Sequence, residues 1–363
     1  MLFFANPKSE YLHLKKKIDT KVKKILNSNS YILGKEVENF EKNFSKYIGV
    51  NYSVGVSNGT DAIILALQAI NIKKGDEIIT TSHTAFATIA AIVDVGATPV
   101  FIDIKENDFT IDVSKIENKI TKKTKAIIAV HIYGNPVDIK EILKIKKKFK
   151  ITLIEDCAQA HGAEYNKKKV GTFGDFATFS FYPTKNLSTY GDGGMVSTNN
   201  NKMFKKIKLL REYGWQRKNY STQKGSNKRL DELHAGILSI KLAHLDKFNN
   251  KRILIAKKYL KKINSKKLIL PKMNSLKKHV FHLFVLRIKD NQRDHFLDYL
   301  KKKNIYAGIH YPLPNHQQIT FKKYNKTKLH ITEKISSEIV SIPIYPLLST
   351  KDVNNIINAI NNF

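Results

Sequence analysis

Residues 153–195 read LIEDCAQAHGAEYNKKKVGTFGDFATFSFYPTKNLSTYGDGGM, and within them an acid, a hydroxyl and an amine fall at what read as strand ends. A short apolar run, 151–154, delivers the carboxylates of Glu155 and Asp156, as a buried strand does at its carboxyl end. A second run, 176–182, carries Ser180 and then one lysine, Lys185, among uncharged neighbours. Gly191, Gly193 and Gly194 follow as a turn tight enough for backbone to approach a ligand. These groups at neighbouring strand ends make a cofactor site.

The elements that must position them alternate along the chain. Strand-like runs occur at 77–81, 99–104, 126–132, 151–154, 176–182 and 195–197, with helical stretches between several of them, clearest at 61–70 and 139–149. This pattern predicts an α/β domain with a mostly parallel sheet, whose ligands gather at the carboxyl ends of the strands. Residues 10–47 read as helical, interrupted by a turn at Tyr31-Ile-Leu-Gly34. Periodicity fails at 214–229, where 216–228 reads as a loop, and a helix follows at 231–245, then another to 263. The remainder holds a strand at 282–288, a helix at 293–303, the segment 306–314 and a closing helix after Ser349. We therefore expect two domains, 1–245 and a smaller α+β domain at 246–363.

Composition bounds the function. The chain has 63 basic and 31 acidic residues, a formal net charge of +32 over 363 residues. Such an excess can serve a nucleic acid, an anionic surface or an acidic small molecule. The lysine runs at 15–17, 147–150 and 301–303 lie on separate candidate helices, so they form no single stripe, and no helix-turn-helix or arginine cluster accompanies them. We expect no nucleic acid and no membrane partner. One cysteine, Cys157, excludes an internal disulfide and fits a reducing compartment. No CxxC or HExxH spacing suggests a metal, and no apolar run approaches the ~18 residues of a span. A cytoplasmic protein is expected.

EDCAQAHGA, SFYPTKN followed by GDGG, SNGTDA near 60 and NKRLDELHA near 230 resemble, in order, the signature of the DegT/DnrJ/StrS sugar aminotransferases. The likeness runs from about residue 31 through the tail SIPIYP. It implies the type I fold of pyridoxal 5'-phosphate (PLP) enzymes and a site shared by two subunits. Lys185 matches the Schiff-base lysine, whose ordinary pKa of ~10.4 must fall if the amine is to move protons near neutrality. Relatives with histidine there catalyse dehydration, so lysine groups this chain with the aminotransferases. Asp156 matches the partner of the pyridinium nitrogen, and Gln159 the contact to the ring's phenolic oxygen.

The resemblance further gives the phosphate to Gly59 and Thr60, at the start of a helix, with Ser180 as third ligand and Asn227 reaching in from the neighbouring subunit. Taken alone, Ser57-Asn-Gly-Thr60 is an ordinary helix cap. Where relatives read FTFxAT, with an aromatic ring stacked on the cofactor, this chain has His83-Thr-Ala-Phe-Ala-Thr88. Ala85 aligns with the stacking position, which leaves His83, the preferred choice, or Phe86 to supply the face. The implied substrates are glutamate and a dTDP- or UDP-linked keto-6-deoxyhexose, 3-keto in preference to 4-keto. Such a product serves deoxyamino sugar biosynthesis of the lipopolysaccharide O-antigen kind. Tyr182, Arg217, Lys218, Arg229, His310 and Tyr311 are candidates for the sugar and diphosphate. PLP-dependent dehydration or epimerisation is the competing reading, and nucleic-acid regulation a remote one.

Overall fold

The computed structural model of the protein describes residues 1–324 and 328–363. A seven-stranded sheet has the spatial order Tyr52–Val56, Gly194–Thr198, Phe176–Ser180, Thr152–Asp156, Thr124–Val130, Glu77–Thr81, Thr98–Ile102. Gly194–Thr198 runs antiparallel to both neighbours, and every other pairing is parallel. Six strands therefore end at one edge. Their apolar residues divide by period two. Ile78, Ile128 and Ile154 join one core with the Gly59–Ala69 helix, whereas Ile79, Ile127 and Leu153 join another with the Ile139–Phe149 helix. Both faces are thus covered, as a parallel sheet requires.

A further core gathers buried residues between Ala256 and Ile360. It lies among the Leu245–Lys262, Arg293–Lys302 and Thr350–Asn361 helices and a small antiparallel sheet of Leu268–Ile269, Phe284–Ile288 and Ile339–Ile342. The amino terminus returns to it: Leu2–Phe3 pairs in parallel with Ile305–Tyr306. Sequence pattern could not show this, because a two-residue strand has no periodicity.

One expectation needs correction. The stretch 216–228 is not wholly a loop, since Trp215–Arg217 pairs with Tyr220–Ser221 as a short hairpin, exposed apart from a half-buried Trp215 and too short for an apolar alternation to read. The helices expected at 231–245 and from there to 263 are both present, as Glu232–Leu242 and Leu245–Lys262, with the backbone at His244 (φ −106°, ψ −4°) between them. The Asn201–Leu210 and His330–Glu338 helices and the Ile339–Ile342 strand also escaped the sequence reading. His330–Glu338 buries only Thr332, Ile335 and Ser336, too little for a stripe.

The Lys35–Ile48 helix begins at Gly34 with no cap of its own. Glu232, 2% exposed, supplies it from nearly 200 residues away: Oε1 accepts the N–H groups of Gly34 and Val37 at 2.9 Å each, and Oε2 that of Glu36 at 3.0 Å. Leaving those donors unmet costs about 1–3 kcal/mol. Glu232→Ala is therefore expected to lower the thermal unfolding midpoint by a few degrees, and Glu232→Gln by less. Calorimetry on the two variants checks the order.

Candidate active site

The six coincident strand ends carry most of the residues singled out above. Past Ser180 the chain turns, with the Lys185 N–H donating to the Tyr182 carbonyl at 2.9 Å. Behind the lysine, Asn186 Nδ2 donates to Asn249 Oδ1 (2.8 Å) and to the Val280 carbonyl (3.1 Å), fixing the turn to the second half of the chain. The Lys185 side chain keeps some exposure, yet the surrounding protein strips enough water to push its amine down to about 8, against an upward pull from Asp156. The same charge is felt at His161, His282 and His310. Burial already holds these imidazoles low, at about 3 for His161 and about 4 for His310, so they are neutral neighbours.

Asp156 is 5% exposed at the end of its strand. Thr88 Oγ1 donates to Oδ2 at 2.9 Å, and the Ala158 N–H to Oδ1 at 3.1 Å. Burial still raises the carboxyl above its usual range, more than the two hydrogen bonds and the Lys185 charge lower it. Among the described residues no cation pairs with it at contact distance. An acid in this state is short of one positive partner. Glu155 serves otherwise, accepting the backbone N–H groups of Gly171, Phe173 and Gly174 at 2.8 Å each and facing His131 at 3.1 Å. His131, Glu155 and Cys157 lie close enough to suggest a metal set. The backbone amides on Glu155, together with the Val137 N–H on His131 Nδ1, give that cluster a structural role.

Gln159 is 4% exposed and divided between two partners: Oε1 accepts the Tyr133 N–H at 2.6 Å, and Nε2 donates to the Tyr311 hydroxyl at 2.9 Å. One Nε2 hydrogen remains for another acceptor.

Gly59 and Thr60 open the Gly59–Ala69 helix. Asn58 caps it through Asp61 N–H (2.8 Å), and Lys228 pairs with Asp61, so the N–H groups of Gly59 and Thr60 stay without an intrahelical acceptor. A Cβ on Gly59 would sit 2.8 Å from Ser180 Cβ and 3.3 Å from its Oγ, which brings the three expected phosphate donors together. Gly194 belongs to this packing and not to a free turn: a Cβ there would lie 2.2 Å from the Asn58 carbonyl oxygen. The glycines thus serve the helix start.

The remaining candidates are more scattered. Asn227 is exposed and accepts from Arg229 Nε at 2.9 Å, while Arg229 also reaches Glu212 at 3.4 Å. Arg217 lies on the exposed hairpin, 4.9 Å from the Tyr220 ring centre, with Lys218 beside it in solvent. Tyr182 is 52% exposed. His310 and Tyr311 stand against the strand ends, with His310 Nδ1 3.0 Å from Ser341 Oγ.

The preference for His83 as ring-stacking residue does not hold. Its imidazole is 1% exposed, edge-on to Tyr133 at 5.7 Å and tilted to Phe109 at 6.2 Å, so it has no open face. Phe86 leans on Phe321 at 4.6 Å yet is 48% exposed, and Ala85 is half-buried. Sequence reasoning also passed over three residues. Thr88 holds Asp156, Tyr133 ties Gln159 to the 308–312 segment, and Asn315 donates to the Ser82 and Thr84 carbonyls at 3.0 and 2.8 Å. Thr88 was the traceable one, as the last residue of the divergent motif.

A parallel sheet with one antiparallel strand, a dehydrated strand-end amine and a buried acid lacking a cation define a PLP-dependent aminotransferase of fold type I. The sequence profile described as "DegT/DnrJ/EryC1/StrS aminotransferase family" matches residues 13–361, and the chain belongs to that family. It is 45% identical to a dTDP-3-amino-3,6-dideoxy-alpha-D-galactopyranose transaminase of Aneurinibacillus thermoaerophilus, covering 100% of this chain and 99% of that one. It is 38% identical to a UDP-N-acetyl-3-dehydro-alpha-D-glucosamine 3-aminotransferase of Acidithiobacillus ferrooxidans, over 97% and 95% of the two. Among solved structures, the S. venezuelae DesV complex with a ketimine intermediate superposes with a TM-score of 0.96 at 36% identity, covering 99% and 98%.

The residues fit the cofactor. A pyridinium N–H would supply the cation that Asp156 lacks, and the backbone N–H groups of Gly59 and Thr60 with the Ser180 hydroxyl offer donors to an anion. Because the Lys185 amine is protonated below about pH 8, cofactor capture by apoenzyme is expected to accelerate as pH rises through 8 and then level off. Stopped-flow absorbance on apoenzyme checks this, with Lys185→Ala developing no cofactor colour at any pH.

Proposed function

We propose that the enzyme transfers an amino group from glutamate to C3 of a dTDP-linked 3-keto-6-deoxyhexose, in deoxyamino sugar synthesis of the O-antigen kind. The observation that carries this reading is that the buried Asp156 carboxylate and the dehydrated Lys185 amine lie at the ends of two paired strands. The two relatives named above both concern C3 of a nucleotide-linked sugar, which favours C3 over C4, and the more similar of them supports dTDP over UDP.

In the proposed mechanism, Asp156 would hold the ring nitrogen charged and the remaining Nε2–H of Gln159 would be available to the phenolic oxygen. Gly59, Thr60 and Ser180 bind the phosphate. When bound, PLP supplies the aldehyde that receives the amine and the electron-poor ring that stabilises negative charge at the adjacent carbon. Lys185 Nζ, uncharged once free of its proton, takes the hydrogen from the amine-bearing carbon of glutamate and later delivers one to C3 of the sugar. His310, Tyr311 and Tyr182 face the hexose, and Arg217 and Arg229 meet the diphosphate.

In this reading two subunits complete each site, and the exposure of Asn227 leaves it free to reach the partner's phosphate. Residues 1–245 hold the cofactor, and residues 246–363 cover the sugar side. No helix among the described residues is long and apolar enough to cross a membrane, and we assign the enzyme to the cytoplasm.

A panel of 3-keto and 4-keto nucleotide sugars with glutamate, read by product mass, tests the proposal. The aminated product should form from a dTDP-3-keto-6-deoxyhexose with kcat/KM at least about tenfold above that for 4-keto sugars. Loss of water without nitrogen gain would replace transfer by dehydration.

A further inference from the structure

Tyr133 lies in the turn after the Thr124–Val130 strand, 2% exposed, with φ of 59° in the left-handed region that bulky side chains avoid. What holds it there is a set of directed hydrogen bonds. Its backbone N–H donates to Gln159 Oε1 at 2.6 Å, and its hydroxyl donates to the His310 carbonyl. His83 Nε2 lies 2.7 Å from the same hydroxyl. A carbonyl only accepts, so the single hydroxyl proton of Tyr133 goes to His310, and His83 must donate through Nε2–H. This assigns the His83 tautomer and leaves the Nδ1 lone pair buried without a partner, in keeping with a neutral ring.

The other end of the Gln159 amide donates to the Tyr311 hydroxyl at 2.9 Å. Loops following the strands that end at Thr81, Val130 and Asp156 therefore meet two successive residues of the 308–312 segment through one buried tyrosine and one glutamine. On its far side that segment is held by Gly308, whose N–H and carbonyl pair with Ser341 at 3.0 and 2.7 Å. On its near side Asn315 anchors to Ser82 and Thr84. Between these anchors, the Tyr133 hydroxyl holds the His310 carbonyl, beside the side-chain contacts of Tyr311 with Gln159 and of His310 with Ser341.

We propose that Tyr133 is a positioning residue for the nucleotide sugar: oriented by His83 and Gln159, it sets the 310–311 backbone so that His310 and Tyr311 present their side chains to the hexose. His83, which cannot stack on the cofactor, acts here by aiming a proton at Tyr133. The proposal rests on the reading of His310 and Tyr311 as sugar-side residues, and one of its tests is independent of that reading.

The experiment uses PLP-loaded enzyme and Tyr133→Phe, which keeps the ring and removes the hydroxyl. Hydrogen exchange of peptides spanning 306–314 is expected to accelerate about tenfold at 310, with the sheet strands unchanged. The KM for the keto-sugar is expected to rise about tenfold, while the glutamate half-reaction stays within about twofold. His83→Leu should loosen the same peptides, and His83→Gln, which keeps a donor at the Nε2 position, should restore their protection. Unchanged exchange at 306–314, or exchange rising throughout the sheet with both half-reactions falling together, would overturn the proposal. If wild-type enzyme aminated no keto-sugar, the functional reading would fail, and the exchange data would still decide the positioning role.

Discussion

An amine that must give up its proton near neutral pH has to be held away from water, and the strand-end architecture does this to Lys185. The Phe176–Ser180 strand delivers the chain to the carboxyl edge, the turn at Tyr182 folds Lys185 back, and Asn186 pins that turn to Asn249 and Val280. With three neutral histidines around it and one buried acid opposing, the amine settles at about 8. The balance is between dehydration, which lowers it, and Asp156, which raises it. Neither influence would act if the two strands were not paired: Asp156 is in register with Thr178.

The parallel sheet explains why the residues of the candidate site come from such distant parts of the sequence. Positions 59, 83, 133, 156 and 180 share one edge because six strands point the same way, and the Gly194–Thr198 strand brings its own glycine under the helix that starts at Gly59. Close approach here depends on missing side chains, since Cβ atoms at Gly59 and Gly194 would drive that helix off Ser180 and off its own strand. The second half of the chain closes the arrangement through hydrogen bonds of Tyr133, Gln159 and Asn315.

Much of this was legible in the sequence, for reasons that are local. The strand at Glu77–Thr81 and the helix at Ile139–Phe149 fall where apolar spacing put them, and the lysine and acid stand out by their isolation at apolar runs. What sequence could not show depends on contacts between residues far apart. His83 looked like a stacking ring because a motif aligned it near the cofactor; its ring is buried, and its partner, 50 residues on, meets its Nε2. Glu232 lies in the first turn of its own helix and caps a different one. The Leu2–Phe3 strand has no compositional mark at all.

The account stands on Lys185 being the amine that holds the cofactor's aldehyde in a chain rich in other lysines. Borohydride reduction of the PLP-loaded enzyme, followed by peptide mapping, tests this directly. The cofactor mass should appear on Lys185 and on no other residue. Attachment to a different lysine, or to none, would contradict the central claim.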